Sequence, residues 1–410
     1  MNSYKPIKIL TVVGARPNFM KAAPIIRAIR RHNANGSGPE IHHLLVHTGQ
    51  HYDAIMSDRF FEDLELPRPD VHLGVGSGTQ AAQTAEILQK FEGVVAREWP
   101  DIVIVVGDVN STVACALAAA KLPVTGGRVR PLITHVEAGL RSFDRDMPEE
   151  VNRVLTDHLS DLLFVTEKAG LQNLRKEGIS PKKVFFVGNT MIDSLVISQK
   201  QASESSILNQ LGLRSGAGQN GIRCVVEPYA LLTLHRPSNV DEAESFRNIL
   251  DGLAEFSGKT PIIFPVHPRT RSRIEEFGYG EYFHTTTDTP KRNGIRLLDP
   301  LGYLDFVCLM KNARLVLTDS GGVQEETTCL RVPCVTIREN TERPVTATQG
   351  TNVIAGTSVA GIRKAIARQL ARKRPGRIPE KWDGKAAERI LPVLLAKVKK
   401  QAAEMVEQIR

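Results

Sequence analysis

Asp108 after DIVIVVG, Glu137 in HVEAG and the pair Glu149–Glu150 in MPEEVNR are carboxylates in the first half of this 410-residue chain. Carboxylates gathered at one place do general acid/base work, and near a sugar ring they would move protons. Each also has a plainer reading. Asp108 could cap a helix over STVACALAAAK, and acidic residues after Pro148 are ordinary chemistry for a helix start, so one of the Glu149–Glu150 pair is read as structural. Arg16 and Lys21 follow the first apolar run, IKILTVVG. Such a pair suits a phosphate or a carboxylate, or is two solvated charges at a helix start. His235 and His267 end apolar runs in the second half, followed by Arg and by Pro-Arg. They could bond a diphosphate or act as acids, and either alone could equally be a satisfied core histidine. The stretch TDSGGVQEE places Ser320, Gly321 and Gly322 directly behind ARLVL. Adjacent glycines let backbone N–H groups approach a ligand, and a helix starting there aims its positive end at an anion. Glu326, one turn further in, could reach sugar hydroxyls. Taken with the two histidines, this looks like an anion-binding floor, whereas by itself it is an ordinary strand–helix turn.

Two other motifs do not hold. GVGSGT (74–79) ends in Thr79 where G-x-G-x-x-G needs glycine, follows no clear buried strand and has no acidic partner at the right distance, so it reads as a turn with Thr79 near a helix start. His47 and His51 have H-x-x-x-H spacing, but Gly49 lies between them where a strand has just ended, which disfavours a helical zinc pair. No phosphate-binding loop of the G-x-x-x-x-G-K-[ST] type occurs.

The elements that must hold these residues alternate along the chain. IKILTVVG, HHLLVHTG, DIVIVVGD, PLITHVE, DLLFVTE and KVFFVGN are β-branched and apolar on both faces, as buried parallel strands are, with helical segments between them. Near residue 200 the texture turns polar and rich in Gly and Ser (201–221), read as a helix end and a surface loop. Alternation then restarts with YALLTLHR, TPIIFPVH, IRLLDP, ARLVLTD, VPCVTIRE and NVIAG. This predicts an α/β protein of two Rossmann-like doubly wound domains, divided near Gly188–Asn189. Ligands of such sheets bind beyond the carboxyl ends of the strands. The polar signals GARPNFMK, HTGQH, GDVNST, HVEAG, LHRPSN, PVHPRT, TDSGG and RENTERP all fall there. Two such sheets facing each other would enclose a central cleft.

Composition excludes several classes. The chain is 41% hydrophobic and 24% charged, ordinary for a globular protein. No apolar run approaches the ~18 residues of a membrane helix, and the run in MNSYKPIKILTVVGARP has no small-residue cleavage site, so a first core strand is expected there rather than a signal peptide. Five scattered cysteines without a C-x-x-C pair argue for a reducing cytoplasm and against a zinc ribbon or disulfide framework. The net charge is +8, and residues 363–410 carry fourteen Lys and Arg against five Asp and Glu, so this segment holds the whole excess. Trp382 is its only aromatic residue. A solvated helical face is the reading, with neither nucleic acid nor membrane as partner.

In order, GARPNFMKAAPI, HTGQHYD, GDVNST, HVEAGLRS, MPEEVNR, VGNTMID, HRPSN, PVHPRT, TDSGGVQEE and RENTERP resemble the non-hydrolysing UDP-N-acetylglucosamine 2-epimerases, from about Gly14 to about Gly356. The resemblance implies the two-domain fold shared with many nucleotide-sugar glycosyltransferases (glycosyltransferase-B-like). A C-terminal helix returns to the first domain, so the domains become 1–187 with 384–410, and 188–383. It implies interconversion of UDP-GlcNAc and UDP-ManNAc. The C2 hydrogen is not acidic, and the family's route is elimination of UDP to a glycal, then re-addition with a proton on the opposite face. Neither metal nor NAD is needed, and no cofactor is expected. Carried over, Asp108, Glu137 and Glu149 are acid/base candidates, and His235 assists at the diphosphate. Arg16 and Lys21 lie beside the substrate. Ser320, Gly321 and Gly322 cradle the diphosphate with His267 on the same floor, Glu326 accepts from the ribose diol, and Arg338 and Arg343 flank the nucleotide. A homodimer working on cell-surface polysaccharide precursors is the family expectation. In several bacterial members a second UDP-GlcNAc activates allosterically, a role that falls here on Gln50 and Arg236. The chain departs from the family in three places. Asn18 stands where many relatives have Glu, LHRPSNV replaces a charged Gly-His-Arg-Arg-Glu run, and the stretch with GGRVR reads as a loop insertion near the cleft. The runner-up expectations are an epimerase of a related UDP-N-acetyl sugar and a glycosyltransferase of this fold.

Overall fold

Runs that are apolar on both faces must be covered on both faces, and here they are. A computed structural model describes residues 6–36, 38–50, 61–123, 129–215, 225–284, 293–372 and 376–409. The chain forms two compact units, Met1–Val196 with Glu380–Arg410, and Ile197–Pro379.

In the first unit the strands are β1 (Ile7–Val13), β2 (Ile41–His47), β3 (Val71–His72), β4 (Ile102–Val106), β5 (Leu132–Ala138), β6 (Leu162–Val165) and β7 (Val184–Phe186). They form one parallel sheet in the order β3-β2-β1-β4-β5-β6-β7. Its helices are α1 (Arg16–Asn35), α2 (Gln80–Glu98), α3 (Asn110–Ala120), α4 (Pro148–Leu159), α5 (Lys168–Lys176), the start of α6 (Thr190–Ser203) and, at the chain's end, α15 (Ala386–Ile409). Successive strand residues point to opposite faces. Leu10, Val12, Val103 and Val105 therefore pack with Ile87 and Phe91 of α2. Ile7, Ile9, Ile102 and Ile104 pack the other face with Ile25 and Ile29 of α1 and Ile390 and Leu394 of α15. The order reverses between β1 and β4, which makes their carboxyl ends the switch point at which doubly wound sheets take ligands.

The second unit repeats this plan. A small antiparallel pair, β8 (Arg214–Ser215) and β9 (Val225–Val226), precedes it. Its sheet contains β10 (Ala230–Thr233), β11 (Ile262–Pro265), β12 (Phe283–His284), β13 (Ile295–Leu298), β14 (Leu315–Thr318), β15 (Cys334–Thr336) and β16 (Asn352–Ile354). The order is β12-β13-β11-β10-β14-β15-β16, all parallel, with the reversal between β10 and β14. Helices α7 (Ile207–Gln210), α8 (Pro237–Val240), α9 (Ala243–Ser257), α10 (Pro268–Glu276), α11 (Tyr303–Asn312), α12 (Gly321–Leu330), α13 (Pro344–Thr348) and α14 (Val359–Leu370) belong to this unit. Among the described residues no helix is long and apolar enough to cross a membrane.

The units divide at 196/197 and 379/380, whereas the sequence reading set the divisions at 187/188 and 383/384. The difference lies in α6 and the residues before α15. Ser194 donates to the Met20 carbonyl at 2.5 Å, and the Trp382 indole donates to the Thr166 carbonyl at 2.9 Å, so both segments are tied into the first unit. The texture change near residue 200 marks neither tie.

Asp193 on α6 accepts from the backbone N–H groups of Ala386 (3.0 Å) and Ala387 (2.8 Å) and so caps α15. Burial nonetheless pushes its carboxyl up to about 6 from 3.8. A raised acid contributes stability that is complete below its unfolded value and is lost as pH rises through its folded value. Asp193→Asn loses one of the two acceptors but does not titrate, so its Tm relative to the parent protein is expected to move in the variant's favour as pH rises from 4 to 7.5, which Tm measured against pH checks.

Candidate active site

At the switch point of the first unit, α1 begins one residue after Ala15. Asn18 follows Pro17 in the first turn of α1. Its Oδ1 accepts from the N–H groups of Gly14 (3.1 Å) and Ala15 (2.9 Å), and its Nδ2 donates to the Val106 carbonyl at the end of β4 (2.8 Å). A carboxylate could not make that last bond, so Asn18 joins β1 to β4 as an amide. Gly107 follows with φ +71, and a Cβ there would lie 2.8 Å from Lys21 Nζ. Both the left-handed backbone and the lysine demand glycine.

Lys21 does not stand open to an anion. Its Nζ lies 2.7 Å from Glu137 Oε2, and both side chains are almost fully buried. Glu137 itself has φ +79, and the β5–β6 register shifts between Val136 and Ala138. A non-glycine residue held there at a bulge costs about 1–3 kcal/mol, and such strain clusters at functional sites.

Asp108 ends β4's turn with its carboxylate 3.0 Å from Arg153 Nε. It is not the cap of α3, whose N-cap is Val109. Asn152 Nδ2 donates to the Asp108 carbonyl at 3.0 Å. Arg153 also reaches Glu150 at 2.6 Å, and Glu150 accepts from the backbone N–H groups of Ser142 and Phe143 (both 2.9 Å). Glu150 is thus the structural member of its pair, and the half-buried Glu149 precedes it on α4. Gln50 is buried beside α3, its Oε1 accepting from the Ser111 N–H (3.0 Å) and Oγ (2.7 Å). Arg16, half-buried, opens α1. The spacing partner of His47, His51, lies outside the described residues, as do Gly126 and Gly127 of the expected insertion. Burial and the neighbouring His72 push His47 down to about 4. Thr79 is the N-cap of α2, accepting from the Ala82 N–H at 3.3 Å.

At the second unit's switch point, Asp319 joins the two central strand ends. Its Oδ2 accepts from the N–H groups of His235 (3.0 Å) and Arg236 (2.9 Å) and from Asn239 Nδ2 (3.2 Å), and its Oδ1 lies 3.0 Å from His235 Nδ1. Burial pushes Asp319 up, but His235 and these N–H groups hold it below the usual carboxylate range. His235 itself is half exposed. Arg236 Nε donates to the Asp319 carbonyl at 3.1 Å. Pro237 and Asn239 of the departing run thus form a short helix that serves Asp319. Sequence reasoning missed this residue, although an Asp between a buried strand and Ser-Gly-Gly was the available signal.

Helix α12 starts at Gly321, with Ser320 as its N-cap and its hydroxyl not used in capping. Arg343 Nε lies 2.9 Å from the fully buried Glu325, and its Nη1 donates to Glu342 at 2.5 Å. Arg338 reaches the other oxygen of Glu342 at 2.9 Å. The sequence-predicted arginines are therefore fixed by carboxylates beside the α12 N-terminus. His267 is exposed and caps α10, accepting from the Arg269 N–H at 3.3 Å. Glu326 is buried in α12 and accepts from the Tyr303 hydroxyl at 2.9 Å. Burial pushes its carboxyl up to about 8, against the pull of Tyr303. This raised acid gives stability that is lost as pH rises through 8. Glu326→Gln is expected to leave Tm at pH 7 unchanged and to raise it at pH 9, as thermal melts at the two values would show.

The model of the family described as "UDP-N-acetylglucosamine 2-epimerase" matches residues 33–395. The chain belongs to this family. It is 42% identical over 394 residues to the UDP-N-acetylglucosamine 2-epimerase of Methanocaldococcus jannaschii, covering 95% of this chain and 99% of that one. It is 40% identical to a UDP-2,3-diacetamido-2,3-dideoxy-D-glucuronate 2-epimerase of Pseudomonas aeruginosa, covering 86% and 89%. The crystal structure of the M. jannaschii epimerase in complex with UDP-GlcNAc and UDP is similar with a TM-score of 0.82 at 41% identity, over 95% of this chain and all of that one. For an epimerase, the first unit offers carboxylates at strand ends, and the second offers a helix N-terminus flanked by buried arginines.

Proposed function

We propose that the protein interconverts UDP-N-acetylglucosamine and UDP-N-acetylmannosamine at C2. The observation that carries this is Asp108 and Glu137 at adjacent strand ends of the first unit, each held by a buried cation, Arg153 and Lys21. A carboxylate takes the C2 proton while the C1–O bond to UDP breaks, and the electron pair left at C2 forms the C1=C2 bond of the glycal. A proton then reaches C2 on the opposite face, and the UDP oxygen bonds C1 again. Asp108, Glu137 and Glu149 are the acid/base groups of the proposal, and His235 assists at the diphosphate. Ser320, Gly321 and Gly322 hold the diphosphate with His267 on the same floor, Arg338 and Arg343 flank the nucleotide, and a neutral Glu326 meets the ribose diol. Arg16 lies beside the sugar, and Gln50 and Arg236 are assigned to an activating second UDP-GlcNAc.

The 40% relative makes a diacetamido uronic acid the second reading. Its C6 carboxylate needs a cation. Lys21, Arg141 and Arg153 each pair with a protein carboxylate in the first unit, so in that reading the C6 carboxylate would fall to Arg16, the cation placed beside the sugar. The proposed setting is a cytoplasmic homodimer. Cys115, Cys308, Cys329 and Cys334 are free thiols, and α4 exposes Val151 and Leu155 beside Phe143, a face suited to a second copy.

The test is proton NMR of UDP-GlcNAc with the pure protein in D₂O, without added NAD or metal. UDP-ManNAc carrying deuterium at C2 is expected. An unchanged spectrum with UDP-GlcNAc, alongside turnover of the diacetamido uronate, would move the assignment to that sugar.

A further inference from the structure

Helix α4 is built inside out. Its buried residues are Glu150, Asn152, Arg153, Thr156 and Asp157, whereas Val151 and Leu155 are exposed. A surface helix ordinarily hides its apolar stripe. Burying a polar face instead is costly unless every group is paired and used. Arg153 and Asn152 are accounted for at Asp108. Asp157 is not, and it lies one turn further along the same buried face.

Asp157 is fully buried, and both its oxygens are occupied. Oδ1 accepts from His135 Nδ1 at 2.7 Å, and both side chains are fully shielded from solvent. The opposite ring nitrogen, Nε2, donates to the Gly107 carbonyl at 2.8 Å. Oδ2 accepts from the Gly139 N–H at 3.0 Å and from Arg141 at 2.7 Å. One carboxylate therefore grips the peptide before Asp108, through the imidazole, and the backbone two residues beyond Glu137. The backbone is left-handed at both grips, Gly107 at φ +71 and Gly139 at φ +80, and also at Glu137, φ +79, two residues before the second grip. A strained conformation persists only where its surroundings over-determine it. Arg141 closes the far side, held in turn by Glu177 through two bonds of 2.8 and 2.7 Å.

The geometry points to Asp157 as a positioning residue that, through His135 and Gly139, sets the relative placement of the Asp108 and Glu137 carboxylates. This rests on the proposed C2 epimerisation. Asp157 touches no substrate, so its effect belongs to the chemical step and not to nucleotide binding. Groups that orient a first layer of active residues are worth ~10–100-fold when removed, and a misplacement of about 1 Å costs up to ~10²-fold.

The experiment compares Asp157→Asn with Glu177→Gln, using C2 deuterium exchange, kcat, KM, the UDP Kd and Tm. Asn keeps the shape but replaces one carboxylate oxygen with an NH₂ that cannot accept. For Asp157→Asn the expected result is a ~10–100-fold fall in kcat with KM and UDP Kd changed less than about twofold. Glu177→Gln loosens the outer end of the same network and is expected to lower Tm while leaving kcat unchanged. Should Asp157→Asn not fold, His135→Gln is the second variant, with the same predicted split between kcat and KM. Full kcat in the folded variant, or equal losses of kcat in Asp157→Asn and Glu177→Gln at matched loss of Tm, overturns the inference. A parent protein that exchanges no C2 hydrogen overturns the functional reading instead, and the two failures are distinct.

Discussion

Asp108→Asn is expected to lower epimerisation ~10³-fold or more while UDP binds as before. The carboxylate ends the turn after β4, is only partly exposed, and pairs with Arg153 Nε at 3.0 Å. That pairing fixes where the carboxylate stands at the end of the turn. Asn retains an oxygen for Arg153 and the bond from Asn152 to the backbone carbonyl, so the turn should keep its shape. The charge and one acceptor oxygen are removed. The nucleotide's proposed ligands Ser320, Gly321 and Gly322 belong to the other unit and are untouched. Initial rates by NMR and calorimetric titration with UDP separate the two effects. Turnover within tenfold of the parent would remove Asp108 from the chemistry, and a parallel loss of UDP affinity would make its role structural.

Gly321→Ala is expected to weaken UDP binding by ~10–100-fold, about 1.4–2.7 kcal/mol, together with a clear loss of stability. A Cβ at this position would lie 2.3 Å from Arg343 Nη1 and 2.9 Å from Glu342 Oε1. Arg343 has nowhere to move, because Glu325 and Glu342 hold it and it is itself buried. Displacing it breaks the ion pair with Glu325, a fully buried carboxylate, and breaking such a pair costs about 3–5 kcal/mol. The N–H groups at the start of α12 would shift with it, so an anion cradle there must lose affinity. UDP titration and thermal melting of the variant check both effects. Unchanged UDP affinity in a destabilised variant would mean the glycine serves only the Arg343 packing.

Alternation of apolar runs with helical segments was readable because a parallel strand covered on both faces has to be apolar on both. Ile7, Ile9, Leu10 and Val12 face opposite ways and are all buried. The switch points follow from the same order, so GARP, GDVNST, HVEAG and TDSGG were placed at strand ends correctly. Pairings across long stretches of chain were not readable. Lys21 looked like an anion ligand, yet it neutralises Glu137; Lys21 lies in α1 and Glu137 near the end of β5, and only folding puts them in contact. Asp319 grips His235 and Arg236, 84 and 83 residues earlier, with no periodicity to announce it. Arg338 and Arg343 were read for the nucleotide without their carboxylate partners.

The amino-acid sequence by itself determined the two doubly wound sheets, the helix starts at Arg16 and Gly321 and the set of polar residues at strand ends, because local period and turn chemistry dictate these. Tertiary structure alone decided which charges neutralise each other, that Glu150 rather than Glu149 is the structural partner of Arg153, and that α4 turns a polar face inward. Those outcomes depend on burial. A buried charge must find its partner wherever the fold brings one, and the linear chain carries no record of that distance.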